Sequence, residues 1–406
     1  MTTLFIFALT LLVAVLVSDL ADRTVLSTAV LFLLAGFIAG RGVVGVISLN
    51  SDNPVVGALA ELALFSILYT DGMRLGVKDL KSAWRLPGRA LLFGLPLTLV
   101  GTALLGHWVA GLPWAESFLL GAVLSPTDPV FAAAIVGREE VPARLRQLLN
   151  VESGMNDGLA LPIVIAMLAV VGKEPVNLAH VLSEIVLGVA IGIVVPWIAI
   201  RLERSRFFSA HVAYQPLNAF AIGLLVYTIS SMAHANSFLA AFAAGITVAT
   251  VGPEARDAFH RFGELVSELL KLAALLVFGA LISPQFLAQI PASGYLFAIL
   301  VLVAVRPIAL LLSLVGSPLG WPERGVAAWF GPKGFASVVF GLLILKAAKS
   351  NAADWIWADK LFHLIALCIT ASILAHSSTD VVVARWLERR RDSVPPRVEQ
   401  PEIVAD

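Results

Sequence analysis

The run Ser125-Pro126-Thr127-Asp128-Pro129 interrupts an apolar stretch reaching from about residue 115 to 137, and Gly331-Pro332-Lys333-Gly334 interrupts a second from about 324 to 346. Pro126 and Pro129 lack backbone donors and obstruct the preceding turn, so a helix cannot pass undisturbed through Thr127 and Asp128. Inside a membrane such a break frees carbonyls and exposes half-helix ends, which is tolerated only around a wet or ligand-filled cavity. A proline kink with Asp128 as its local cap is the plainer reading of the first break alone. The second break, about 205 residues later, argues against that reading. Where two broken helices cross, their N-terminal ends carry partial positive charge and their C-terminal ends partial negative charge. Asp128 is expected to offset the former and Lys333 the latter, with Asp128 also close enough to reach a bound ion.

The composition around the breaks fixes their setting. Of 406 residues, 59% are hydrophobic and 14% charged, with a mean hydropathy of +0.89, whereas a soluble domain carries roughly a quarter charged residues. The 28 Lys and Arg balance 28 Asp and Glu, so the basic excess of a nucleic-acid binder is missing and no nucleic acid partner is expected. A single cysteine, Cys368, excludes an internal disulfide scaffold and, among Leu, Ile and Ala, reads as a small buried hydrophobe. What remains is an all-α polytopic membrane protein, since a spanning helix needs about 20 apolar residues. Thirteen candidate spans lie near residues 3–20, 24–40, 54–72, 88–111, 115–137, 145–171, 178–200, 214–234, 236–251, 264–283, 291–315, 324–346 and 361–384. The first has no Lys or Arg ahead of it and no convincing cleavage site, so it is expected to be a retained helix rather than a signal peptide.

Charge orients this layout. Counted in alternate connections, twenty Lys and Arg fall on one side and five, Arg41, Lys173, Lys346, Lys349 and Lys360, on the other. The positive-inside bias then predicts an N-terminus outside and a cytoplasmic C-terminus, in a plasma membrane of the bacterial inner-membrane type. The chain also looks duplicated: repeat one at about 1–171, a linking helix at about 178–200 and repeat two at about 214–388, together one transmembrane domain over 1–388. Residues 389–406 are read as a short basic tail for the run Arg389-Arg390-Arg391, whose arginines are expected to meet anionic lipid headgroups. Six helices, a linking seventh and six more invert the second half relative to the first. Inverted repeats whose discontinuous helices cross at midplane are the architecture of secondary transporters.

The span after the first break carries Glu152-Ser153-Gly154-Met155-Asn156-Asp157-Gly158. Glu152 and Asn156 share one helix face, Ser153 and Asp157 the next. Both carboxylates fall near midplane, where an ionisable residue is a functional hypothesis by default. Asp71, Asp128, Glu152 and Asp157 outnumber Arg306 and Lys333, leaving spare negative charge and oxygen ligands suited to a hard monovalent cation or to protons. Arg306 and Lys333 lie mid-span and need buried partners, whereas Lys271, early in its span, is expected to snorkel. Glu61 is read as lying near a wet edge, and His107, His180 and His234 as interfacial. Trp108, Trp114, Trp355 and Trp357 read as interfacial anchors.

Taken together, Thr127-Asp128-Pro129, the Glu-Ser-x-x-Asn-Asp run from Glu152 to Asp157, Arg306-Pro307 and Gly331-Pro332-Lys333-Gly334 resemble the monovalent cation:proton antiporters. The resemblance is greatest to the branch related to sodium/proton exchangers that bears an Asn-Asp pair, and it spans essentially all thirteen helices. It implies that Asp157 is the shared cation- and proton-binding carboxylate. Further cation ligands implied are Ser153, Asp128 and the Thr127 carbonyl, for sodium or for potassium or lithium, with Asn156 holding the broken-helix geometry. Asp71 falls where related antiporters carry an acidic residue on the third span. Glu152 is expected to pair with Arg306, and Lys333 stands where the family often has arginine. The family also implies a homodimer.

The mechanism expected is competition. Burial disfavours a charged carboxylate and a nearby cation favours it, so a proton and a cation at Asp157 expel each other, and only the neutralised site changes sides. With Asn156 in place of a second titrating aspartate, exchange is expected to be electroneutral, one proton per cation, with sodium the expected ion. The alternative is a potassium-selective or electrogenic exchanger of the sister branch. A channel would carry a filter run such as Thr-Val-Gly-Tyr-Gly, and an intramembrane protease would need Gly-x-Gly-Asp or Gly-x-Ser-Gly; none of these runs occurs. A secondary transporter without cofactor, not an enzyme, is the resulting expectation.

Overall fold

Long runs of Leu, Val, Ala and Ile can cross lipid only by satisfying their backbone internally, so each closes into a helix. The computed structural model describes residues 1–18, 27–41, 43–47, 53–74, 85–128, 141–172, 178–205, 211, 214–350 and 355–392. Pro129, the rest of the stretch to 137 and the tail beyond 392 lie outside the described residues. The helices in chain order are α1 (Thr2–Leu16), α2 (Thr28–Ala39), α3 (Pro54–Arg74), α4 (Arg85–Trp108), α5 (Trp114–Leu124), α6 (Ala143–Val171), α7 (Leu178–Glu203), α8 (Gln215–Met232), α9 (Ser237–Val251), α10 (Pro253–Leu281), α11 (Pro284–Ala288), α12 (Ala292–Ser313), α13 (Trp321–Trp329), α14 (Phe335–Ser350) and α15 (Ala358–Asp392). No strand occurs among the described residues. Starts follow local chemistry: Ser27 and Asn236 cap α2 and α9 by accepting the amides of Val30 and Leu239 at 3.3 and 2.8 Å.

Every one of the thirteen apolar stretches contains a helix. Six helical segments are long and apolar enough to cross a membrane on their own: Val55–Arg74, Arg85–Trp108, Ala143–Val171, Leu182–Glu203, Ala292–Ser313 and Ala358–Leu387. One boundary is corrected. The span expected at 264–283 begins at Pro253, because a polar stripe precedes its apolar part. Lys271 therefore lies well inside α10, and at 2% exposure it does not snorkel.

The helices sort into two bundles. One comprises α1, α2, α3, α7, α8, α9 and α10; the other comprises α4, α5 and α6 packed with α12, α13, α14 and α15. Contact between the bundles runs mainly through α3, with α9, on the first and α6 and α14 on the second. The second bundle is thus assembled from two separated pieces of chain, 85–171 and 292–392, and these resemble each other. The first helix of each holds a five-residue π segment, Ala90–Gly94 in α4 and Val301–Val305 in α12. The second helix of each stops short, α5 at Leu124 and α13 at Trp329. A π turn widens the helix and redirects the side chains after it; in α12 the residue delivered by that turn is Arg306.

Candidate functional site

The two breaks meet. After α5 the chain leaves the helix at Ser125, and the Asp128 amide donates to the Pro332 carbonyl at 2.9 Å. The Asp128 carboxylate in turn accepts the Phe335 amide at 3.1 Å, capping the positive end of α14 from the other half of the chain. Ser337 Oγ donates to the Val123 carbonyl at 2.7 Å, a second tie between the broken helices. No side chain fits between them: a Cβ on Gly334 would overlap the Asp128 side chain, and one on Gly331 the Arg306 guanidinium. The glycines of the second break are therefore required by close approach.

Beside this crossing, α6 presents its polar run. Asn156 Nδ2 donates to Thr127 Oγ1 at 2.6 Å, and Thr127 Oγ1 lies 3.2 Å from Ser153 Oγ. Thr127, Ser153 and Asn156 are all buried, so the amide holds the non-helical segment 125–128 against α6. One turn before Asn156, Glu152 Oε1 lies 2.9 Å from Arg306 Nη2, with both side chains about 5% exposed. Glu152 Oε2 and Arg306 Nε find no hydrogen-bond partner among the described residues, so the pair is tightly opposed but incompletely satisfied.

Asp157 differs from every other carboxylate here. It is 5% exposed and makes no hydrogen bond or ion pair with a described residue. It faces a cavity of about 490 Å³ between the bundles, shared with Asp128 and with Asp71 of α3. Asp71 pairs with Arg74 at 3.1 Å, and Arg74 with Glu264 of α10 at 2.7 Å, where the cavity reaches partly exposed side chains. Among the described residues no three carboxylate, histidine or cysteine side chains converge as a ready-made metal cage. Three carboxylates spread around a wet space suit an ion that enters and leaves rather than one held permanently.

The structure thus brings Asp157, Asp128 and Asp71 to one cavity, and it joins Thr127, Ser153 and Asn156 to one another in the buried layer next to Asp128 and Asp157. Lys333 is 0% exposed, and its ammonium finds no hydrogen-bond partner among the described residues. The terminal Trp329 carbonyl of α13 faces His376 Nε2 at 2.9 Å. Sequence reasoning also missed Glu268 and read Lys271 as snorkelling; the two pair with each other and line the cavity. Their signal was helical spacing with His260 and Glu264 along α10, legible only once that helix starts at Pro253. Glu61, read as near a wet edge, is partly buried on α3 and binds Lys346 of α14 at 2.8 Å, with Tyr227 of α8 at 3.4 Å. Cys368 is buried and free.

Comparison with known proteins gives this geometry a family. The profile of the sodium/hydrogen exchanger transmembrane family matches residues 7–386. The K(+)/H(+) antiporter NhaP of Alkalimonas amylolytica is 26% identical over 397 residues, 95% of this chain and 67% of that protein. The K(+)/H(+) antiporter NhaP2 of Shewanella oneidensis is 26% identical over 388 residues, 93% of this chain and 66% of that protein. This chain spans about two thirds of the length of these relatives. In fold, it matches the sodium proton antiporter MjNhaP1 from Methanocaldococcus jannaschii with a TM-score of 0.77 at 21% identity, covering 96% of this chain and 99% of that one. With the profile running across both bundles and both breaks, the chain belongs to the sodium/hydrogen exchanger family of transmembrane cation/proton antiporters.

Proposed function

We propose that the protein exchanges one monovalent cation for one proton through Asp157, electroneutrally and by alternating access. The observation that carries this reading is the isolation of Asp157. Asp128 is engaged by the Phe335 amide and Asp71 by Arg74, whereas Asp157 alone faces the cavity without a described partner. A proton or a cation is what neutralises it, and an unneutralised carboxylate is too costly to carry across a low-dielectric barrier. Asp128, Ser153 and the Thr127 carbonyl complete the oxygen set around a dehydrated ion, with Asp71 at the approach. Asn156 cannot hold a second proton, which supports a one-for-one ratio.

Sodium is the ion of this reading. Potassium is the second reading, favoured by the NhaP and NhaP2 relatives, named as K(+)/H(+) antiporters, whose likeness covers over nine tenths of this chain. The same proposal takes the thirteen helical stretches as thirteen crossings of a bacterial inner membrane by a homodimer. The charge bias of twenty against five supports an N-terminus outside and the Arg74 and Arg261 end of the cavity facing the cytoplasm.

Proteoliposomes carrying a pH-gradient probe test the proposal. Sodium, potassium or lithium added at several pH values should dissipate the gradient in the wild type and not in Asp157→Asn, with the variant folding normally. Silence of the wild type to all three ions would end this reading, and so would brisk exchange by Asp157→Asn. A current proportional to turnover would refute the one-for-one ratio.

A further inference from the structure

One turn of α15 brackets the second break from both sides. Ser372 Oγ accepts the Lys333 amide at 2.7 Å. Four residues on, His376 sets Nε2 2.9 Å from the Trp329 carbonyl and Nδ1 at Ser372, 3.1 Å from Oγ and 2.7 Å from the carbonyl oxygen. Each ring nitrogen faces a carbonyl, which can only accept; in the Nε2–H tautomer the ring donates to Trp329, and Nδ1 is left to accept from the Ser372 hydroxyl. Trp329 is itself held: its indole donates to Thr379 Oγ1 at 2.9 Å, and its ring lies over the imidazole at a centroid distance of 5.1 Å. Ser372 is 0% and His376 2% exposed.

Trp329 closes α13, and Lys333 precedes α14. One α15 side chain therefore supplies a donor to a carbonyl freed by the break, and the other an acceptor to an amide freed by it. Groups of this kind have no water to turn to in lipid. Between the two bracketed points lies Pro332, whose carbonyl receives the Asp128 amide, and just beyond them Gly334, against which the Asp128 side chain rests. The bracket ends within two residues of the contacts that seat Asp128.

We propose that Ser372 and His376 are positioning residues for the ion site. They fix the shape of residues 330–334 and, through Pro332 and Gly334, where Asp128 stands relative to Asp157. The proposal rests on the reading of Asp128 and Asp157 as ion-binding carboxylates, but the bracket itself can be measured without transport.

The test uses two variants of the full chain. His376→Gln keeps a donor near the place of Nε2; His376→Leu keeps bulk and removes it. Hydrogen exchange of the amides at Asp128, Lys333 and Phe335 is followed in purified protein, and the cation KM and kcat in proteoliposomes are normalised to folded protein. The Trp329 carbonyl also accepts the Gly331 amide at 2.9 Å, so His376→Leu leaves it one of its two bonds; that loss should speed exchange at these amides about fivefold and raise the cation KM about fivefold with kcat little changed. His376→Gln should stay within about twofold of the wild type on both. Unchanged exchange in His376→Leu, or equal defects in the two variants, overturns the bracket. Fast exchange with an unchanged KM overturns its link to ion binding. A wild type that exchanges no cation refutes the functional reading, and with it the positioning role, while the exchange rates still decide whether the bracket exists.

Discussion

Replacing Arg306 by alanine strands Glu152 in the middle of the second bundle. The two side chains lie 2.9 Å apart at about 5% exposure, and at an effective dielectric of about 20 their attraction is roughly 6 kcal/mol. Most of that offsets the cost of taking both ions out of water, so the net value of the pair is small. Removing one partner leaves the cost of the other uncompensated, roughly 3–5 kcal/mol. With about 2.1 cal/mol/K of unfolding entropy per residue over 406 residues, that loss lowers the melting temperature by about 4–6 °C. Arg306→Ala should therefore melt early and be recovered in low yield. Adding Glu152→Gln should restore at least half of the lost stability, because the amide removes the stranded charge. Melting of purified protein in detergent, followed by fluorescence, reads both effects. An Arg306→Ala protein that melts with the wild type yet transports nothing would refute a structural pair and assign the arginine to the transport cycle.

The other expectations are shorter. Gly334→Ala places a methyl into the Asp128 side chain; overpacking of this kind costs about 1–3 kcal/mol, and the cation KM should rise as Asp128 is displaced. A variant with wild-type stability and KM would show that the crossing has slack. Lys346→Gln removes the tie between Glu61 of α3 and α14, with Lys346 69% exposed, so stability should change by under about 1 kcal/mol. Because this tie joins the bundles about 15 Å along α3 from Asp71, its loss should instead favour opening at that end. A cysteine at Leu64, one turn from Glu61, should then react faster with a thiol reagent added from outside; an unchanged rate would deny the tie any gating role.

Much of the fold was legible because lipid leaves a chain few options. Proline and glycine inside apolar runs marked the breaks, and the charges of Glu152, Asp157 and Arg306 stood out against their surroundings. What the sequence concealed was polar chemistry dressed as something ordinary. The stripe from Arg256 to Lys271 read as a loop followed by a span, since hydropathy averages over faces and hides a helix that is wet along one side. His376 and Ser372 sit in a run of small and polar residues whose role depends on Trp329 and Lys333, about 40 residues earlier. The Glu61 tie to Lys346 joins positions 285 residues apart, and no local pattern announces it. The π segments left a trace that is legible only in pairs: Pro96 and Pro307 each stand two residues after one, and each deprives a carbonyl of the preceding turn of its donor.

The reach of the described cavity from Asp157 to the partly exposed Arg74 and Glu264 has a consequence for what the proposed exchanger can sense. A carboxylate wetted from a single side equilibrates with a single compartment, so its load is decided by rivalry between two ions drawn from the same water. At saturation that rivalry depends on their quotient: doubling both concentrations leaves the load as it was. Net flow then ceases when the quotient of cation to proton is equal across the membrane, whatever the voltage. Such a device would hold neither ion at a set level, only the proportion between them.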